Sequence, residues 1–231
     1  LPFLAGFEML PRRFLTYALR RVAPFFGKNM SLAVLKSRAL LGMSAPLVTV
    51  EVHLTNGLPS FNIVGLPEAE VKESKDRVRA AILNAQLDFP AKRITVNLAP
   101  ADLPKSSGRF DLPIALGVLI ASGQLSVKNL DQYEFAGELS LSGAVRPIKG
   151  ALAMTYGLTK EAQQNDSVVP IVVLPAQSSM EAALVTDARV WAAHSLLGVC
   201  AMLRQPDLQQ CVVAPEQVLD VDALALDWSD V

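Results

Sequence analysis

Four cations flank glycine turns in two short stretches of this chain, and that combination of residue types can hold phosphate oxygens. Lys105 and Arg109 bracket Gly108, and Arg146 and Lys149 lie between Gly143 and Gly150. Glycine lets a backbone approach a ligand closely, and turn amides beside a fixed cation suit an oxyanion. Solvated loop charges account for the same four residues. A second group, Lys72, Lys75 and Arg79, follows three- and four-residue spacing, which on a helix makes a basic stripe able to track a phosphate backbone. Glu68, Glu70, Glu73 and Asp76 dilute it, so a salt-bridged solvent face is the competing account. Asp111 stands directly before an apolar run, where a carboxylate accepts first-turn amide hydrogens and complements a helix dipole. Glu138 reads as a turn or interface residue, His53 as an outward strand residue, and Cys200 and Trp191 as packing.

Other chemistries find no residues here. Nothing matches the nucleotide-binding pattern Gly-x-x-x-x-Gly-Lys-Ser/Thr, since Gly27-Lys28 lacks both the earlier glycine and the following hydroxyl. No dinucleotide fingerprint occurs either, so no cofactor is expected in this chain. The two cysteines, Cys200 and Cys211, are too few for a disulfide framework and suit a reducing cytoplasm, and His53 and His194 give no zinc-type spacing. With 231 residues and 51% hydrophobic content the chain can fill a substantial core. Its net charge of −1 is uneven: Arg12, Arg13, Arg20, Arg21 and Lys28 against Glu8 give residues 1–29 a charge of +4 and the remainder −5. Bulk attraction to nucleic acid is therefore not indicated for residues 30–231. No apolar run reaches the length of a membrane-spanning helix, so no membrane partner is expected.

The elements that must position these residues follow from periodicity. Val48, Val50, Val52 and Leu54 alternate with polar neighbours, which predicts a strand, and Asn56-Gly57 predicts a hairpin into a second strand through Phe61 and Ile63. Pro67, with Val71, Val78, Ile82 and Ala85 on one face, predicts a helix over 68–86, its outer side carrying the pairs Glu68/Lys72 and Glu73/Arg77. Ile94, Val96 and Leu98 predict a strand, Pro100 and Pro104 end it, and the run 112–120 is apolar all round, so its helix must be enclosed by protein and end near Gly123. The second half predicts strands at 135–141, 168–174 and 189–192 and helices at 151–163, 178–184 and 195–203, with Ser178 or Ser179 as a cap. Past residue 205 the pattern fades into a Gln-, Pro- and Asp-containing tail. The expectation is an α/β (α+β) layered sheet with helices over residues 30–204.

Several ordered stretches carry a family resemblance: Phe61-Asn-Ile-Val-Gly-Leu-Pro67, Val71-Lys-Glu-Ser74 with Arg77-Val-Arg-Ala-Ala-Ile82, the run from Phe89 to Lys105, Phe110-Asp-Leu-Pro-Ile-Ala-Leu116, and Gly137-Glu-Leu-Ser-Leu-Ser-Gly143 leading into Arg146-Pro-Ile-Lys-Gly150. Together they resemble the amino-terminal domain of the ComM/YifB family of Mg-chelatase-like AAA+ ATPases. The resemblance implies a Lon-protease-like fold, related to domain two of a small-subunit ribosomal protein, over residues 30–204. Residues 1–29 then form a non-family extension, for which a basic amphipathic targeting helix is the other reading. Residues 205–231 form a linker toward an ATPase module absent from this chain.

For the full-length protein the resemblance implies a hexameric ring that uses ATP and Mg²⁺, binds DNA and drives branch migration during natural transformation, with this domain a non-catalytic accessory. Aligned to the Lon active-site turn, Asp111 falls at the nucleophile position, and Leu152 stands where the basic lysine would be, with Lys149 one turn earlier. A serine nucleophile needs a deprotonated amine in hydrogen-bond reach. The alternatives are a peptidase with a rearranged dyad of Ser106 or Ser107 and Lys149, and a Mg-chelatase-type subunit acting in tetrapyrrole insertion.

Overall fold

The structure is a computed structural model and describes residues 31–42 and 44–213. The expected extension at 1–29 and most of the linker at 205–231 lie outside the described residues. Among the described residues a seven-stranded sheet runs in the order β3-β4-β2-β1-β5-β8-β9. Its strands are β1 (Leu32–Arg38), β2 (Leu47–Thr55), β3 (Ser60–Val64), β4 (Arg93–Ala99), β5 (Tyr133–Phe135), β8 (Ile171–Pro175) and β9 (Arg189–Ala193). Antiparallel pairs join β1 to β2 and β2 to β4, and the remaining four neighbours are parallel. A short ribbon of β6 (Glu138–Leu139) and β7 (Val145–Arg146) stands apart. The helices are α1 (Ala69–Lys72), α2 (Ser74–Asn84), α3 (Asp111–Ala121), α4 (Ala151–Gln164), α5 (Ala176–Ala182) and α6 (Leu196–Arg204). The chain therefore folds as the α/β class that its alternating pattern predicts.

The apolar run at 112–120 forms α3, and all eleven of its residues are buried. Leu35 of β1 and Val52 of β2 meet it at Gly117 from the sheet, and α2, with Val78 and Ile82 buried in the same core, packs beside it. Burying a side chain of this size stabilises a fold by about 1.5–3 kcal/mol, so this contact dominates the antiparallel half. Among the described residues nothing covers the opposite face of that half, where Leu32 and Val34 are half exposed. In the parallel half both faces are covered. Ile171 and Val173 join the cluster around α3, while Val172 and Leu174 pack with Met154, Leu158 and Ala182 of α4 and α5.

Four local expectations are corrected. Asn56-Gly57 makes no hairpin, because β3 pairs with β4 in parallel and leaves β2 to β4's other edge. A type I′ turn needs positive φ at both central residues, and Asn56 has none. The helix expected over 68–86 breaks at Glu73 into α1 and α2. The strand expected over 135–141 leaves the main sheet after Phe135 and resumes as β6. Neither Ser178 nor Ser179 caps α5. Their hydroxyls donate to the carbonyls of Ile148 and Ala176, while Pro175 holds the cap position. Ser195, by contrast, caps α6 by accepting the Gly198 amide at 3.1 Å. Gly65 fixes the turn after β3: with φ +99°, a Cβ there would stand 2.1 Å from the Leu98 carbonyl oxygen.

Candidate functional site

Asp111 is engaged on all sides by polar partners of the core, and it is not a helix cap. Its backbone is already helical at φ −58° and ψ −47°, whereas a capping residue needs an extended backbone. The Leu112 amide is satisfied instead by the Gly137 carbonyl at 3.0 Å. The Asp111 carboxylate, wholly buried, crosses to α2. It accepts from Arg77 Nε at 2.6 Å and Nη2 at 3.2 Å, from the Ser74 hydroxyl, and from the Leu139 amide at 3.1 Å. Burial pushes its carboxyl up, against the opposing pull of Arg77 and Ser74. Arg77, expected to pair with Glu73, lies 3.7 Å from that exposed carboxylate and has Asp111 as its main partner. The spacing of Glu73 and Arg77 gave no signal for the longer-range pair.

Lys105 is corrected as well, since it is wholly buried and cannot meet a ligand at the surface. Its ammonium donates to the Pro100 carbonyl, and its own carbonyl accepts from the Glu68 amide at 3.2 Å. Burial holds its pKa below the ordinary lysine value. Lys105 thus ties the end of β4 to the start of α1.

Arg109 and Lys149 do come together, in a cleft of about 410 Å³ shared with Glu70, Ser106, Ser107 and Glu138. Arg109 is 3% exposed. It donates from Nε to the Ser107 hydroxyl at 3.0 Å, from Nη2 to the Lys149 carbonyl at 3.2 Å, and from Nη1 to Met154 Sδ at 3.4 Å. No carboxylate lies within ion-pair distance of it among the described residues, and burial lowers its pKa to about 10. Its guanidinium therefore fastens the 105–109 loop to the 146–150 loop and to α4. Arg146 stands exposed at the rim, 3.4 Å from Glu138. A Cβ at Gly108 would stand 2.6 Å from the Glu138 side chain, so a larger residue there has to push that carboxylate aside.

Two carboxylates and two cations line this cleft, so it is balanced in charge. A polyanion gains little from such a surface. Ser106 and Ser107 share the cleft with Lys149, yet no hydrogen bond joins either hydroxyl to that amine among the described residues. The Ser107 hydroxyl accepts from Arg109, whose protonated guanidinium has no lone pair to take its proton.

The basic stripe is divided. Lys72 lies on α1, Lys75 and Arg79 lie on α2, and all three are exposed. Arg79 folds its guanidinium over the Phe89 ring, 4.9 Å from the centroid. His53 is exposed on β2, whereas Trp191 is buried against Tyr133 and Cys200 lies in the core, as expected. A buried ion pair between Arg38 and Glu134, at 2.7 Å, went unforeseen because nothing local links residues 96 positions apart. No group of three or more His, Cys, Asp or Glu stands close enough to hold a metal among the described residues.

A mixed sheet wrapped on one buried helix, with the polar turn at its head engaged internally, defines a Mg-chelatase-like domain, and residues 50–173 match the family model described as Subunit ChlI of Mg-chelatase. The chain belongs to the ComM/YifB family of Mg-chelatase-like proteins. It is 51% identical over 174 residues to Competence protein ComM of Haemophilus influenzae, covering 75% of this chain and 33% of that protein. It is 43% identical over 197 residues to YifB of Salmonella typhimurium, covering 83% and 38%, and 46% identical over 174 residues to YifB of Escherichia coli, covering 75% and 33%. The chain spans about a third of the length of these curated relatives.

Proposed function

We propose that this chain is a non-catalytic accessory domain of a Mg-chelatase-like AAA+ ATPase that processes DNA. The observation that carries this reading is the engagement of Asp111. At the head of the buried helix, where a Lon-like enzyme would present its nucleophile, stands a carboxylate held by Arg77, Ser74 and the Leu139 amide. Likeness to a relative named for competence supports the DNA role. In this reading residues 30–204 pack against one face of a cytoplasmic hexameric ring and guide DNA strands during branch migration. ATP and Mg²⁺ act through another part of a longer protein.

Fluorescence anisotropy of the purified chain with labelled forked and single-stranded DNA, run beside a casein-cleavage assay, tests the proposal. Binding that weakens with added salt, without casein turnover, is expected. No DNA binding even at low salt removes the DNA role. Casein cleavage lost on Lys149→Ala would establish the peptidase reading in its place.

A further inference from the structure

We propose that a slot beside Phe61 and Phe89 seats one unpaired base of single-stranded DNA, with Arg79 and Lys92 on the flanking phosphates. This rests on the DNA role above and names the strand type and the surface. The slot encloses about 210 Å³ and is lined by Pro59, Ser60, Phe61, Arg79, Phe89 and Lys92, among others. That volume is below the roughly 300–1,000 Å³ of pockets for drug-sized ligands and suits a single ring system. Phe61 projects from β3, the edge strand of the sheet, and Phe89 from the segment before β4. Their rings stand 6.0 Å apart at 38°, and each also packs on the main core, which fixes its orientation.

The charge around this slot differs from that of the Arg109 cleft. No carboxylate lines it. Arg79, Lys92 and Arg93 are exposed, and none of them forms an ion pair among the described residues. Arg93, paired with Ser60 in the β3/β4 register, alternates to the sheet face opposite Phe61 and Ile94, so the cations lining the slot are Arg79 and Lys92. Aromatic rings accept any unstacked base, and a guanidinium already lying over a ring extends the stacking surface, while cations alongside hold the backbone. A paired base in a duplex would have to leave its stack to enter, so single strands are favoured. Lys75, one turn from Arg79 on α2, continues the basic surface away from the slot.

Anisotropy titration of the full chain with a labelled single-stranded oligonucleotide, its duplex and an abasic strand of equal length tests the site. Tighter binding of the single strand than of either alternative is expected. Phe89→Ala should weaken single-strand binding roughly 5- to 150-fold, the range expected for loss of one stacked base. Lys92→Gln, an exposed change that leaves the core intact, should lower the slope of log affinity against log salt by about 0.7. Phe89→Trp guards against a folding artefact, since it keeps the ring and should retain binding. Equal affinity for the abasic strand, or wild-type binding by both Phe89→Ala and Lys92→Gln, overturns the site while leaving the DNA role intact. A wild-type chain that binds neither single strand nor duplex overturns both.

Discussion

Replacing Arg77 by Met leaves the Asp111 carboxylate wholly buried without a counter-charge, and the size of the penalty follows from its partners. Arg77 supplies two of the four hydrogen-bond contacts to the carboxylate, at 2.6 and 3.2 Å, and Ser74 and the Leu139 amide supply the others. Removing one member of a buried ion pair costs about 3–5 kcal/mol. The Arg77 side chain is 20% exposed and two neutral donors remain, so the lower end, about 3 kcal/mol, is expected for Arg77→Met. Asp111→Asn keeps the shape and leaves Arg77 able to reach water, which limits its cost to about 1–3 kcal/mol. The double variant should then be less destabilised than the sum of the two single ones.

The pH dependence has a definite sign. Burial already raises the Asp111 pKa, and loss of Arg77 raises it further. A carboxyl whose folded pKa lies above the unfolded value binds more protons when folded. Its contribution is intact below about pH 4 and is lost as pH rises through the folded value. The gap between Arg77→Met and wild type should therefore be larger at about pH 7.5 than at about pH 5. Urea unfolding followed by circular dichroism at both pH values measures it. A penalty under about 1 kcal/mol with no pH dependence would refute the account of Asp111 as a buried charge held by Arg77.

The same reasoning separates the partners of Arg38. Glu134 is almost wholly buried and Glu161 is 47% exposed, so Glu134→Ala should cost about 3–5 kcal/mol and Glu161→Gln less than about 1 kcal/mol. Equal shifts in the urea midpoint would contradict this. Burial pushes the Cys200 thiol up to about 11, whereas Cys211 is exposed. Iodoacetamide should therefore add one group to the native chain, at Cys211 by peptide mass, and a second only in denaturant. Because the unfolded Cys200 thiol ionises first, its contribution to stability should fall as pH rises from about 9 toward about 11, which thermal melts can follow.

The elements that the sequence makes legible are those whose period survives burial. The strand through Val48, Val50 and Val52, the enclosed run at 112–120 and the twice-buried strand at β8 all declare themselves locally. Strand β1 does not, because Leu32, Ala33, Val34 and Leu35 are apolar on both faces and hide the alternation. Partner choice is equally hidden. Asn56-Gly57 has the chemistry of a hairpin, but the helical crossover between β3 and β4 decides which strands pair. At the candidate site the cations and glycines were legible as residue types, and their directions were not. Lys105 turns inward to the Pro100 carbonyl, and Arg109 turns toward Met154 and the Lys149 carbonyl.

Three charged residues within seven positions, Lys105, Arg109 and Asp111, are thus engaged by the fold itself. Each is buried, and a buried charge can serve a ligand only by giving up the contacts that offset its desolvation. The buried charges of this turn are therefore poorly placed to meet a ligand. Charge free to meet a polyanion must lie where water already solvates it. Along the edge formed by α2, β3 and β4, Arg79 and Lys92 meet that condition beside two half-buried aromatic rings. The same logic makes the Asp111 and Lys92 experiments complementary: the first should change stability with little effect on DNA affinity, and the second should change DNA affinity with little effect on stability.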